Sequence, residues 1–327
     1  MEYVLLIIGF SLLVKGADWF VDGSSNIAQL LRVPPILIGL TIVALGTSAP
    51  EATVSIIAAV QGTADVAVGN VVGSNIFNIT LVVGLAAAIY PLQVQNEMIV
   101  KQIPFALLAA VALFALGSDV LLQGSTENIL SRSDGIIFFL FLAIFMYYII
   151  EVGLKSRKET KAIKDSNVKW GKSTFITLLG LAAIILGGQF VVSNATEIAL
   201  SWGMSEALVG LTIVAIGTSL PELVTSISAA LKNESEIALG NVVGSGIFNI
   251  LFVLGAASLI SPLAINPVIF TDIWIMVVLT ILLLIFFADK LPNWEKRRNY
   301  ISPHLCIVYN LYYYKKLKRR RTNSPSF

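Results

Sequence analysis

Long apolar runs, separated by short polar stretches, dominate the pattern of hydrophobic positions along the chain. A membrane-spanning helix needs about 20 mostly apolar residues, whereas the strands of a membrane barrel alternate over about ten residues. These runs are long and continuous, so they predict helices and not barrel strands. They lie near residues 2–21, 33–60, 65–90, 102–118, 134–152, 174–193, 205–231, 236–260 and 269–288, with a short tenth candidate near 301–314.

Composition supports an all-α integral membrane protein. Hydrophobic residues make up 56% of the 327 residues and charged residues only 13%, whereas a soluble domain has about 25% charged residues. This balance excludes a soluble enzyme, a disordered protein and a nucleic-acid binder. The single cysteine, Cys306, excludes a disulfide framework and a cysteine-based metal site. The single histidine, His304, and the lack of paired membrane aspartates or a Ser–Lys or Ser–His arrangement predict that the protein is not an enzyme.

The distribution of basic residues predicts the orientation in the membrane. The stretch 153–173 contains seven Lys or Arg residues against Glu159 and Asp165. Because short cytoplasmic loops are enriched in basic residues, we expect this linker in the cytoplasm. Five spans precede it, so the N-terminus is expected outside, in the plasma membrane of a prokaryote.

An internal repeat organises the chain. The segment Val33–Leu92 aligns without gaps to Met204–Leu263 at an offset of 171, and more than half of the positions are identical. Five helices before the linker would invert the second copy relative to the first, which is typical of secondary transporters. The predicted units are a first transmembrane repeat at 1–152 (α-repeat 33–92), a basic cytoplasmic linker at 153–173, a second transmembrane repeat at 174–295 (α-repeat 204–263) and an atypical C-terminal tail at 296–327.

The C-terminal tail does not resemble a membrane helix. It ends in the basic run Lys315–Arg321, which ten spans would place outside, against the positive-inside rule, and nine spans would keep inside. We therefore hypothesise that the native tenth helix is missing or replaced.

Two glutamates carry the candidate chemistry. Glu51 and Glu222 lie within apolar runs, and each follows a proline, Pro50 or Pro221. A carboxylate at that depth costs several kcal/mol and usually faces a cavity or a partner. The proline removes a backbone donor and bends the helix, which frees carbonyl oxygens of the preceding turn. A simple kink would explain the prolines but not a glutamate at both.

Polar side chains repeat around both glutamates. The spacing from glutamate to asparagine is the same in each copy (78 − 51 = 27 and 249 − 222 = 27). All of these groups offer oxygen, which suits hard cations such as Ca²⁺ and Na⁺. For Ser48 and Ser219, two residues before the prolines, bonding to their own backbone is the structural alternative. The candidate side chains are Glu51, Thr47, Ser48, Ser74 and Asn78 in the first copy and Glu222, Thr218, Ser219, Ser245 and Asn249 in the second.

The paired segments GTSAPE…GNVVGSNIFNI and GTSLPE…GNVVGSGIFNI resemble the two α-repeats of the sodium/calcium exchanger family. The resemblance implies a ten-helix antiporter that exchanges Na⁺ for Ca²⁺ by alternating access, with its first and sixth helices sliding as a gate. It implies that these side chains and the backbone carbonyls of Ala44 and Ala215 bind the ions, which are substrates and not cofactors. Some prokaryotic members have Asp where this chain has Asn249, which leaves only two carboxylates here.

Several alternatives stay open at this point. A Ca²⁺/H⁺ or a K⁺-dependent Na⁺/Ca²⁺ exchanger would use the same site. A cation channel is disfavoured because channels usually build one pore from repeated subunits, whereas an inverted repeat in one chain favours alternating access. Lipid, Ca²⁺ and Na⁺ are the expected partners, and the transport unit is expected to be a monomer.

Overall fold

The computed structural model describes residues 2–90, 92, 94, 96–159, 168–204 and 215–288, and it is almost entirely helical. The helices are α1 Glu2–Leu31, α2 Pro35–Thr47, α3 Ala49–Val60, α4 Ala64–Ile89, α5 Met98–Leu116, α6 Asp119–Gln123, α7 Arg132–Glu159, α8 Trp170–Ser201, α9 Ala215–Thr218, α10 Leu220–Leu231, α11 Ser235–Ile260 and α12 Pro267–Ala288.

Seven of these helices are long and apolar enough to cross a membrane, and the bent pair α2–α3 makes an eighth candidate. The all-α membrane fold is therefore as predicted, but the described residues do not provide nine spans. The predicted span 205–231 includes residues outside the described ranges, and α10 covers only 12 residues of it. The tail 296–327 and the tenth candidate at 301–314 also lie outside, so the five-helix count of each repeat stays a prediction.

Helices extend beyond the apolar runs that predicted them. The first run ends near residue 21, yet α1 continues to Leu31. Likewise, α7 continues to Glu159 and α8 begins at Trp170, so helical structure enters the predicted linker from both sides. Lys, Arg and Glu are good helix formers, and a change of polarity therefore ends an apolar run without ending the helix.

Glycines bring α1 and α8 into close backbone contact. A Cβ added at Gly16 would lie 2.9 Å from the carbonyl oxygen of Gly180, and one at Gly9 would lie 3.0 Å from that of Gly187. The four positions follow the same offset as the repeat (180 − 9 = 171 and 187 − 16 = 171). Each helix therefore presents the same surface to the other, as across a two-fold axis.

Helix α11 lies at the centre of the fold. Of its most apolar 18-residue stretch, 72% of the residues are buried, against 22–39% in the other helices that could span the membrane. Small residues allow this central position, since a Cβ at Gly240 would lie 2.9 Å from Gly39 Cα and one at Gly244 would lie 2.7 Å from the Leu40 carbonyl oxygen. The close crossing places α11 against α2, near the point where α2 ends.

A two-residue strand pair was not predicted. Strands β1 (Ile129–Leu130) and β2 (Leu263–Ala264) pair antiparallel and join the loop before α7 to the loop before α12. Two residues are too few to leave an alternating pattern in the sequence, which explains why the pairing was missed.

Replacement of Gly16 by valine should destabilise the fold by roughly 1–3 kcal/mol, because the added side chain overpacks the contact with α8. We expect a lower thermal unfolding midpoint of the purified protein in detergent. Ala182→Val, on the exposed side of α8, is the matched control and should leave the midpoint near that of the wild type. Equal midpoints for the two variants would contradict the proposed close contact.

Candidate functional site

Each candidate glutamate lies in the first turn of a helix that starts at a break. Between α2 and α3 the chain bends by 48° at Ser48, whose ψ of 3° is not helical. Ser219 has a ψ of 4° at the corresponding break between α9 and α10. Glu51 and Glu222 are both fully buried, and the positive end of a helix dipole favours a carboxylate in the first turn.

The two halves exchange hydrogen bonds at these breaks. The Ser48 hydroxyl donates to Glu222 Oε1 at 3.1 Å, and the Ser219 hydroxyl donates to Glu51 Oε1 at 3.1 Å. The Ser219 and Ser74 hydroxyl oxygens are 3.0 Å apart. Neither serine bonds its own backbone through these contacts, which was the alternative considered from the sequence. Each carboxylate is instead oriented by the opposite half of the molecule.

Several buried polar atoms at this site have no hydrogen-bond partner among the described residues. Buried polar groups are almost always paired in native proteins, and exceptions often mark a site for water or an ion. Unlike the paired oxygens above, the oxygens among these atoms have no protein donor that would compete with a ligand. They are Glu51 Oε2, Glu222 Oε2, Ser245 Oγ, Asn249 Oδ1, Asn78 Oδ1 and Asn78 Nδ2.

Asn78 and Asn249 each begin a π-helical turn. The turns are Asn78–Val82 in α4 and Asn249–Leu254 in α11. Both asparagines are buried and lie one helical turn after Ser74 and Ser245 respectively, so each pair shares a helix face. Ser74 lies beside the Glu51 carboxylate and Ser245 beside that of Glu222. Single π turns occur often at functional sites, and nothing in the sequence pattern predicted them here.

The two threonines contact asparagines of the opposite half. Thr47 donates its hydroxyl hydrogen to Asn241 Oδ1 at 2.9 Å, and Thr218 donates to Asn70 Oδ1 at 3.3 Å. A hydroxyl that donates in this way keeps lone pairs on its oxygen that can contact a cation. The Ala44 carbonyl accepts the Ser48 N–H at 3.0 Å. The ligand roles of the Ala44 and Ala215 carbonyls stay predictions.

The chemistry of the site is that of oxygen ligands. The described residues contain no group of three or more His, Cys, Asp or Glu side chains that could hold a metal ion. The site therefore offers two carboxylates, supplemented by hydroxyl and amide oxygens, which suits Ca²⁺ or Na⁺ and not a soft transition metal.

The sequence pattern of the family described as sodium/calcium exchanger protein matches residues 1–151 and 172–314, which is most of the chain. The chain belongs to the sodium/calcium exchanger family. This confirms the family that the paired motifs indicated. It also confirms that the protein is a transporter and not an enzyme, with ions as substrates.

The alignments with known relatives span most of this exchanger and most of each relative. It is 32% identical to the sodium/calcium exchanger MaX1 of Methanosarcina acetivorans, over 91% of this chain and 93% of the relative. It is 38% identical to the inner membrane protein YrbG of Escherichia coli K12, over 88% and 89%. The fold matches the sodium-calcium exchanger NCX_Mj soaked with 10 mM Na⁺ and 10 mM Sr²⁺, with a TM-score of 0.76, 33% identity and coverage of 87% and 90%.

Two asparagines of the exchanger were missed as site residues. Asn70 Nδ2 donates to the Glu51 backbone carbonyl at 3.2 Å and to Ser55 Oγ at 3.0 Å. Asn241 Nδ2 donates in the same way to the Glu222 carbonyl at 3.3 Å and to a serine of α10 at 3.0 Å. Each asparagine thus joins the carboxylate helix to the helix that follows. Their recurrence at the repeat offset (241 − 70 = 171) was the signal that could have identified them.

Proposed function

We propose that this protein exchanges Na⁺ for Ca²⁺ by alternating access and that Glu51 and Glu222 are the central ligands. The observation that carries the proposal is the set of unpartnered buried oxygens around two fully buried carboxylates. The name of its relative MaX1, a sodium/calcium exchanger, supports the choice of ions. The full proposed ligand set is Glu51, Glu222, Asn78, Asn249, Thr47, Ser48, Thr218, Ser219, Ser74, Ser245 and the carbonyls of Ala44 and Ala215.

Charge balance explains why the two ions compete. The serine contacts of the two breaks bring Glu51 and Glu222 to the same buried site, and two uncompensated buried carboxylates are costly. One Ca²⁺ or two Na⁺ would neutralise the pair. Since both ions need the same carboxylates, bound Na⁺ displaces Ca²⁺, and the Na⁺ gradient can drive Ca²⁺ out of the cell. The coupling requires different ion affinities in the inward-facing and outward-facing states.

Glu51→Gln and Glu222→Gln should each abolish Na⁺-driven ⁴⁵Ca²⁺ flux in proteoliposomes, because one carboxylate cannot balance a divalent ion. Glu151→Gln, which changes an exposed glutamate of α7, is the control and should keep wild-type flux. If one chain is the transport unit, mixing inactive Glu51→Gln chains with wild-type chains leaves the flux per wild-type chain unchanged. Near-normal flux in both central variants would refute the assignment.

A second candidate function differs from Na⁺/Ca²⁺ exchange in the ion that is coupled to Ca²⁺ transport. Asn78 and Asn249 are neutral amides, so Glu51 and Glu222 carry all the charge of the proposed site. A Ca²⁺/H⁺ or K⁺-dependent exchanger would use the same two glutamates. We expect ⁴⁵Ca²⁺ uptake to follow an imposed Na⁺ gradient when pH and K⁺ are equal on both sides. Uptake that follows only the pH gradient, or that requires K⁺, would favour the alternative.

We further propose a plasma-membrane location with the N-terminus outside and residues 153–173 in the cytoplasm. The basic charge of this linker and the similarity to an inner membrane protein support the proposal. In a variant with Cys306 replaced by serine, a cysteine introduced at Ser125 should react with an impermeant maleimide in intact cells. A cysteine at Lys161 should react only after permeabilisation. The reverse pattern would show the opposite orientation.

A further inference from the structure

The two copies of the segment GNVVGS-x-IFNI differ at one position. Asn75 occupies it in the first copy and Gly246 in the second (246 − 75 = 171). Asn75 is 2% exposed and is not one of the predicted ion ligands. A buried amide at the single difference within this segment calls for a physical reason.

Hydrogen bonding determines which way the Asn75 amide is turned. Its Nδ2 lies 3.2 Å from the carbonyl oxygen of Gly246. A carbonyl oxygen can only accept, so the NH₂ group of Asn75 must face Gly246. The same nitrogen lies 3.6 Å from the sulfur of Met276, which is also an acceptor. The Oδ1 of Asn75 therefore points away from the carbonyl oxygen of Gly246.

The orientation of the Asn75 amide determines the orientation of the Asn249 amide. Asn249 Nδ2 donates to Asn75 Oδ1 at 3.2 Å, and an amide oxygen can only accept. The NH₂ group of Asn249 must therefore face Asn75, and its own Oδ1 is directed elsewhere. That oxygen is buried and has no partner among the described residues. Ser245, one turn earlier on the same face, lies beside the Glu222 carboxylate.

We propose that Asn75 is a positioning residue that fixes the Asn249 amide with its oxygen toward the ion site. This inference rests on the proposed function of that site. An amide turned by 180° would direct its NH₂ group at the cation, which would repel the ion instead of binding it. The series of hydrogen bonds begins at the Gly246 carbonyl, which can only accept, and passes through Asn75 to Asn249. The orientation of Asn249 is therefore determined from outside the site.

The two halves of the site are consequently not equivalent. Asn78 is the counterpart of Asn249, but Gly246 stands where a side chain would be needed to orient it. Neither amide atom of Asn78 has a partner among the described residues. The second half thus supplies a preset amide oxygen, whereas no hydrogen bond within the described residues fixes the orientation of the Asn78 amide.

The test measures Ca²⁺ affinity of the full-length protein in detergent by calorimetry. Removal of a group that orients a metal ligand typically lowers metal affinity by about 10–100-fold, and we expect roughly a tenfold loss in Asn75→Ala. The matched control is Asn194→Ala, because Asn194 is also buried and, among the described residues, bonds the Phe190 carbonyl of its own helix. That control should keep wild-type affinity.

A second background separates orientation from a general structural effect. In Asn249→Asp both side-chain oxygens are acceptors, so there is no amide to orient. There, Asn75 Oδ1 would face a carboxylate oxygen, from which it cannot accept a hydrogen bond, so adding Asn75→Ala should not lower Ca²⁺ affinity. A double-mutant cycle detects this difference between the two backgrounds. A tenfold loss in both backgrounds, or an equal loss in Asn194→Ala, would overturn the proposal.

Exchanging the two residues provides a variant with the same composition. A Cβ at Gly246 would have Asn75 Oδ1, at 4.0 Å, as its nearest neighbour, so the space accepts a side chain. In Asn75→Gly with Gly246→Asn, the orienting amide is moved to Asn78. Ca²⁺ affinity should then depend more on Asn78 than on Asn249 when each is changed to alanine, the reverse of the wild type. An unchanged order would contradict the proposal.

Measurements of Ca²⁺ binding and of transport distinguish the orienting role of Asn75 from the exchange function. If Asn75→Ala lowers Ca²⁺ affinity while wild-type vesicles show no Na⁺-driven flux, the orienting role stands and the exchange function fails. If Na⁺-driven flux is present and lost in the glutamate variants, but Asn75→Ala binds Ca²⁺ like the wild type, the exchange function stands and the orienting role fails.

Discussion

Burial of two carboxylates between membrane-spanning helices is the constraint on which the rest of the structure depends. A single such group is costly, and two near each other also repel. Two features of the fold, helix N-termini and hydroxyl hydrogen bonds, stabilise this negative charge without neutralising it. Each glutamate lies in a first helical turn and accepts one hydroxyl bond from the opposite half, at 3.1 Å in both cases. The remaining negative charge is not balanced by any basic side chain bonded to these carboxylates among the described residues.

Duplication makes this arrangement possible in one chain. The contact between a serine at a break and the glutamate of the opposite half is made twice, by Ser48 with Glu222 and by Ser219 with Glu51. The same offset relates the glycines that join α1 to α8. Neither half has a complete site, because each carboxylate depends on the other half for its hydroxyl donor. A folded structure with an oriented site therefore requires both copies together.

The central residues of the site could be predicted because they violate the surrounding pattern. A glutamate or a proline in an apolar run is conspicuous, and its recurrence at a fixed offset pairs the two halves. Asn70 and Asn241 were missed because they act by bonding a backbone carbonyl, a role that only their recurrence at the repeat offset could have indicated. The π turns at Asn78 and Asn249 depend on packing against neighbouring helices, which a single-chain periodicity cannot reveal. The extent of α1 was underestimated because helix continuation depends on propensity as well as on polarity.

The exception to the symmetry follows from the difference between an amide and a carboxylate. A carboxylate offers acceptors in both directions and needs no orientation to bind a cation. An amide offers one acceptor and one donor group, so it binds a cation only if something holds its NH₂ group away. Asn249 has that support from Asn75, whose own direction is set by a backbone carbonyl. Asn78 has glycine at the corresponding place. The single difference between the two copies of this segment therefore gives one asparagine a fixed amide orientation that the other does not receive from the corresponding position.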